Sequence, residues 1–158
     1  MVALIVAAAS VLGASCSGES CPESFRWGDD LPDTLTYSGV RMLRVSVCRN
    51  ERCAEGDLEA LPLEEPSAGV GIGVRLDGGP SAHAEFSRDS AGVRRIEVLW
   101  ADRDARDGDR WRIEVRDRGS VVAGLAEQTV MYATWHPNGP LSSECRQVIL
   151  EGSTASMP

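Results

Sequence analysis

The sequence contains no lysine, and all 16 of its basic residues are arginine. This absence excludes Schiff-base chemistry, the lysine of a phosphate-binding loop and serine–lysine nucleophile pairs. Histidine is also scarce: His83 and His136 stand far apart, and the Gly-x-Ser-x-Gly, His-Glu-x-x-His and Ser-x-x-Lys motifs are missing. We therefore expect no catalytic residues and no cofactor, and we do not expect an enzyme.

Net positive charge and long apolar segments are lacking as well. The formal net charge is −8, whereas binding along a nucleic-acid backbone requires a basic face. No apolar run reaches the ~20 residues of a membrane-spanning helix. We expect a partner that is a protein or a glycan and not a nucleic acid.

The longest apolar run stands at the N-terminus. Residues 1–15 read MVALIVAAASVLGAS and have the length of the apolar core of a signal peptide. Small residues directly before Cys16 resemble the bacterial lipoprotein signal, which implies a lipid on Cys16 and a short polar linker over residues 16–20. The alternative is ordinary signal-peptidase cleavage between Ala14 and Gly18. Either route predicts export, and a lipid would be the only attachment to a membrane.

The sequence has five cysteines, an odd number that leaves one thiol without a partner. Lipidation of Cys16 leaves four. Cys48 and Cys53 flank a short polar turn that a disulfide closes locally, and Cys21 then pairs with Cys145 by elimination. Because no Cys-x-x-Cys motif occurs, we expect no metal site built from these thiols.

Short apolar alternations separated by Gly, Pro, Asp and Asn clusters dominate residues 21–151, which we interpret as one domain before a polar tail at 152–158. The segments that alternate are 42–49, 69–76, 82–87, 94–100, 109–116, 121–125, 127–135 and 146–151. About eight strands are typical of a two-sheet antiparallel β-sandwich, so the predicted class is all-β. The predicted core comprises Leu43, Val45, Val47, Val70, Ile72, Val98, Trp100, Trp111, Ile113 and Val115. Residues 54–68 are predicted to form a surface loop with one helical turn near 58–61.

Glycine alternates through Gly69, Gly71 and Gly73. A dinucleotide-binding fingerprint needs Gly-x-Gly-x-x-Gly where a strand meets a helix, and no helix follows here. The pattern instead predicts a strand with one flat face that lies under a neighbouring loop or sheet edge.

The segment from 102 to 109 reads DRDARDGD and carries four aspartates: Asp102, Asp104, Asp107 and Asp109. Carboxylates clustered around a glycine turn can bind calcium. The spacing does not match an EF-hand, and interleaved arginines neutralise the acids, so a charged loop without metal is the main interpretation. A calcium-stabilised adhesion domain is kept as an alternative.

Tryptophan is the most frequent aromatic residue. Trp100 and Trp111 fall on predicted apolar faces. Trp27, Trp135 and the adjacent His136 lie near predicted loops, and we treat these three as candidates for a binding surface because tryptophan is enriched in contact hot spots. Core packing is the favoured interpretation of each tryptophan taken singly.

Two segments carry a resemblance to a family. The strand entry DGDRWRIEV (107–115) and the stretch from Tyr132 through Pro137-Asn-Gly-Pro to Cys145 are similar to small secreted or lipid-anchored bacterial proteins with an immunoglobulin-like or transthyretin-like sandwich. The resemblance implies a fold and a location in the cell envelope or the secreted fraction. The expected function is a non-catalytic binding or structural module, and the alternatives are the calcium-stabilised domain and a small hydrolase or hydrolase inhibitor.

Overall fold

The computed structural model describes residues 21, 24–79, 81–101, 104–136 and 144–151. This part of the chain contains ten strands: β1 (Phe25–Asp30), β2 (Arg44–Arg49), β3 (Arg52–Asp57), β4 (Ile72–Arg75), β5 (Ala82–Arg88), β6 (Arg94–Trp100), β7 (Arg110–Asp117), β8 (Ser120–Thr129), β9 (Ala133–Trp135) and β10 (Cys145–Glu151). One short helix, α1 (Tyr37–Val40), and one 3₁₀ turn (Leu58–Ala60) lie in the connections. The predicted signal segment, Cys16, the linker and the tail at 152–158 lie outside the described residues.

The strands form two sheets, as predicted for a β-sandwich. A six-stranded sheet has the order β4-β5-β6-β1-β10-β9, and a four-stranded sheet has the order β3-β2-β7-β8. Neighbouring strands are antiparallel except β1 and β10, which pair in parallel. The first and last described strands therefore lie side by side within one sheet.

The core lies between the sheets and is centred on aromatic rings. Trp111 of β7 is fully buried and stacks on Phe25 of β1 with ring centroids 3.8 Å apart. It also meets Trp100 of β6 edge-on at 5.5 Å. The predicted core residues are buried or pack against the core, with one exception. Val70 is 44% exposed because β4 begins only at Ile72.

The sequence prediction omits two strands and divides another wrongly. It misses β1 and assigns most of β3 to the surface loop, although the helical turn predicted inside that loop is present. The segments 121–125 and 127–135 are not two strands: β8 runs unbroken through Thr129, with bulges in its pairing to β7, and only 133–135 form β9. The described ranges therefore contain ten strands where about eight were predicted.

Both predicted disulfides are present, Cys21–Cys145 and Cys48–Cys53. Cys145 opens β10, so the first bond ties the segment before β1 to the parallel partner of β1. It closes a loop with a sequence separation of 124, and chain entropy assigns such a bond ~5 kcal/mol of stabilisation.

Candidate functional site

The outer face of the six-stranded sheet carries a row of charged side chains. Alternation along β1 and β6 turns Arg26, Arg95 and Glu97 away from the core, to the face that also carries the buried side chain of Leu99. Glu97 accepts hydrogen bonds from both arginines: Arg26 Nη2 donates to Oε2 at 2.6 Å, and Arg95 Nε donates to Oε1 at 3.2 Å. Arg95 also contacts Asp30 at 3.2 Å. These four side chains form a chain of alternating charge.

A depression of about 410 Å³ runs over this face between β4 and β1. We call it the charged groove and define it by Arg26, Asp30, Glu85, Arg95 and Glu97, which all line it. No strand or helix of the described residues covers these side chains, because the four-stranded sheet packs on the opposite, apolar face.

Two glycines keep the groove open. A Cβ atom on Gly28 would lie 2.5 Å from Arg95 Nη2, and a Cβ atom on Gly71 would overlap the Glu85 carboxylate. The side chains of Arg95 and Glu85 lie flat against the backbone because these positions carry no side chain of their own. The predicted flat face of the glycine segment is thus present, with Glu85 of the neighbouring strand over it.

Glu85 of β5 stands directly opposite Glu97 of β6 in the strand register. Like charges at directly opposed positions repel each other. Two arginines neutralise Glu97, whereas the described residues supply no ion pair to Glu85. Glu85 therefore presents to the groove a carboxylate without a counter-charge among the described residues, which favours contact with a cationic group. A second lining carboxylate without an ion pair among them, Asp89, accepts the backbone N–H groups of Ala91 and Val93 instead.

One wall of the groove is the segment that leads into β4, and Arg94 fixes it. Arg94 donates two hydrogen bonds to Glu65, from Nε at 2.7 Å and from Nη2 at 3.1 Å. This contact lowers the pKa of the Glu65 carboxyl. Farther along, the N–H of Gly69 donates to the carbonyl of Arg88 at 2.8 Å. The wall is thus held to β5 and β6 before β4 begins.

A second group of polar residues is buried at one end of the sandwich. Arg49 Nε donates to Asp109 Oδ2 at 2.8 Å, and the Tyr132 hydroxyl donates to the same oxygen at 3.0 Å. Trp111 Nε1 in turn donates to the Tyr132 hydroxyl at 2.9 Å. Asn50 donates its side-chain amide to Asp109 Oδ1 at 3.0 Å. These five residues join the β2–β3 turn, the start of β7 and the segment after β8.

The electrostatics of this cluster keep Asp109 ionised and Tyr132 protonated. Burial alone would raise the pKa of Asp109, but hydrogen bonds from the Arg106 backbone N–H, Asn50 and Arg49 outweigh burial and lower it. Burial raises the pKa of Tyr132, and the adjacent Asp109 raises it further. Asp109 and Arg49 are each only 6% exposed, so the cluster holds the fold together and offers little surface to a ligand.

The aspartates considered for calcium have other partners. Asp109 is held by Arg49, and Asp107 Oδ1 accepts the backbone N–H of Tyr132 at 2.8 Å. Asp104 is exposed, and its carbonyl accepts a hydrogen bond from Arg49. Asp102 lies outside the described residues. Within the described ranges, no group of three His, Cys, Asp or Glu side chains is placed to hold a metal ion.

The structure does not bring the candidate binding-surface residues together. Trp27 is fully buried on the inward face of β1, a strand that was not predicted, so it packs in the core and is not available to a binding surface. Trp135 is half-buried in β9, at the opposite edge of the sheet from β4, and His136 follows it in an exposed position.

The sequence prediction missed the charged groove because it missed β1, the strand to which Arg26 and Asp30 belong. The alternation of Phe25, Arg26 and Trp27 is the signal that could have found it.

Comparison with known proteins adds no relative: no family model matches the chain, and neither does any curated protein or solved structure. Across the residues that the structure describes, no helix is both long and apolar enough to span a bilayer.

Proposed function

We propose that this chain is a non-catalytic module of the cell envelope or the secreted fraction that binds a protein partner through the charged groove. The observation that carries the proposal is Glu85, an unbalanced carboxylate beside the neutralised chain of Arg26, Glu97, Arg95 and Asp30. We also propose that the chain shares the immunoglobulin-like or transthyretin-like sandwich of small secreted or lipid-anchored bacterial proteins.

Export is supported by the two disulfides, since such bonds persist in oxidising compartments and are rare in the cytosol. The signal-like segment before Cys16 supports the same location. A lipid on Cys16 would stand only five residues before Cys21, which at most spans ~18 Å of extended chain. The sandwich would then sit close to the membrane surface.

The chemistry of the groove favours a protein over a glycan. Its lining combines carboxylates with guanidinium groups, which pair with lysine, arginine and acidic side chains of a partner. Trp27, an aromatic residue on which a sugar ring could have stacked, is buried. The partner we infer therefore has a basic side chain that contacts Glu85.

Site-specific photocrosslinking in the native cells tests this assignment. A photoreactive amino acid replaces Ser87, which lines the groove opposite Arg95, and a matched control replaces Arg118, an exposed turn residue of the other sheet. We expect one discrete protein adduct from position 87 and none from 118. A diffuse, glycosidase-sensitive adduct would replace the protein with a glycan, and equal adducts from both positions would overturn the groove as the binding surface.

A further inference from the structure

The Cys48–Cys53 disulfide lies on the outer face of the four-stranded sheet. The two cysteines stand directly opposite each other in the β2–β3 register, with Cα atoms 4.0 Å apart. They differ in accessibility, because Cys53 is exposed and Cys48 is only 5% exposed. An incoming thiolate must approach one sulfur along the S–S axis, and only the Cys53 side is open to solvent.

A guanidinium group stands beside the buried sulfur. Arg112 of β7 is the register partner of Cys48 on its other side, and its Nη2 lies 3.7 Å from Cys48 Sγ. The described residues give Arg112 no carboxylate partner. The acidic side chains around Arg112 on its own and neighbouring strands are each paired with another arginine: Glu55 with Arg44 at 2.7 Å, Glu114 with Arg116 at 2.8 Å and Glu127 with Arg110 at 3.4 Å. The positive charge of Arg112 is therefore available to the sulfur.

We propose that Cys48–Cys53 is a thiol–disulfide exchange site whose substrates are dithiols. A thiolate of the dithiol attacks Cys53 Sγ, the Cys53–Cys48 bond breaks, and Cys48 leaves as a thiolate beside Arg112. The second thiol of the substrate then attacks the substrate sulfur of the mixed disulfide and releases Cys53 as a thiolate. The substrate dithiol loses two electrons and two protons and becomes a disulfide, and Cys48 and Cys53 gain the two electrons and, through water, the two protons.

The fold tolerates this reaction. β2 and β3 remain paired at five further positions, from Arg44–Asp57 to Arg49–Arg52, so reduction leaves the hairpin in register. The Cys21–Cys145 disulfide is less accessible and joins distant parts of the chain, because its cysteines are 124 positions apart and Cys145 is only 1% exposed. It serves as an internal control within the same molecule.

Selective reduction tests the site. The oxidised protein is treated with dithiothreitol, quenched with acid at intervals, alkylated and mapped by mass spectrometry. We expect Cys48–Cys53 to open at least about tenfold faster than Cys21–Cys145, with the near-ultraviolet circular dichroism of the buried tryptophans unchanged. Equal rates for the two bonds, or loss of the tryptophan signal with the first bond, would overturn the proposal.

The direction of attack is tested with glutathione, a monothiol that leaves the mixed disulfide in place. We expect the glutathione adduct on Cys53 and the free thiol on Cys48. An adduct on Cys48 would contradict the proposed geometry. A reduced Cys-x-x-Cys protein at the same thiol concentration then identifies the source of the dithiol: a faster reaction than with dithiothreitol assigns a protein substrate, and a slower one assigns a small dithiol.

The role of Arg112 as a positioning residue is tested by substitution. R112Q should slow opening of Cys48–Cys53 by about threefold, because the leaving thiolate loses a neighbouring positive charge. R112K should restore most of the rate, which a purely structural role of the guanidinium would not predict. R75Q, which changes an exposed arginine of β4 in the other sheet and leaves the ion pairs around Arg112 intact, is the control and should leave the rate unchanged. A rate that is unaffected by R112Q would remove Arg112 from the site.

Discussion

Arg49 and Asp109 are 60 positions apart in the sequence and form a buried ion pair, with Arg49 Nη2 2.8 Å from Asp109 Oδ2. The pair joins the end of β2 to the loop before β7. Both side chains are 7% exposed. If one charge is removed, the other therefore stays buried, where water cannot solvate it. Tyr132 and Asn50 complete the hydrogen bonds of the carboxylate.

Removal of one partner should therefore destabilise the protein strongly. We expect D109N to lower the free energy of unfolding by about 3–5 kcal/mol, because the Arg49 guanidinium stays buried without its counter-charge. The exposed pair between Arg110 and Glu127 provides the control, and E127Q should cost no more than ~1 kcal/mol. Urea unfolding followed by tryptophan fluorescence measures both. Similar losses in the two variants would contradict a buried pair.

The same carboxylate predicts a pH dependence of stability. The pKa of Asp109 is lowered in the folded protein from its ordinary value of 3.8, so its ionised form stabilises the fold above that pH and the contribution is lost as pH falls through the folded pKa. The difference in unfolding free energy between the unsubstituted protein and D109N should shrink below about pH 4. Urea titrations at about pH 7, 5 and 3 provide the comparison. A difference that stays constant down to the lowest pH would show that the charge of Asp109 is not the stabilising feature.

Truncation of Trp111 should destabilise the protein more than truncation of Trp135. It is fully buried, stacks on Phe25 and donates to Tyr132, so W111A should cost about 3–5 kcal/mol. W135A, in the short strand β9, removes a half-buried ring and should cost clearly less. Thermal unfolding of the two variants measures the order, and an equal loss would contradict the placement of the core.

The proposed export and lipid anchor predict the effect of replacing Cys16. C16S should move the protein from the membrane fraction to the soluble exported fraction, because the lipid attachment site is lost. Mass spectrometry identifies the N-terminal residue of the unsubstituted protein and of C16S. A mature protein that still begins at Met1 would contradict export by either route.

The strands with strict alternation could be predicted from sequence, and the others depend on pairing that sequence does not reveal. Arg110–Asp117 shows its inward and outward faces residue by residue. Arg52–Asp57 buries only Ala54 and forms a strand because β2 pairs with it along its whole length. Both disulfides could be predicted, since five cysteines less one leaves few pairings.

Neither polar site could be predicted in the same way. Arg49 has the sequence context of a turn residue, and only the packing of β7 against β2 brings Asp109 to it. The groove depends on β1 lying between β6 and β10, a long-range pairing that sets Arg26 beside Glu97. Sequence alternation identifies an outward face but not the strand that will lie next to it.

The Ser87 photocrosslink, repeated in two charge-reversal variants, tests the central proposal most directly. E85R reverses the charge at Glu85 in the groove, and E59R reverses an exposed acidic residue in the 3₁₀ turn, outside the groove lining. Partner recognition through the groove predicts that the protein adduct disappears in E85R and persists in E59R. An adduct that survives E85R unchanged would contradict it.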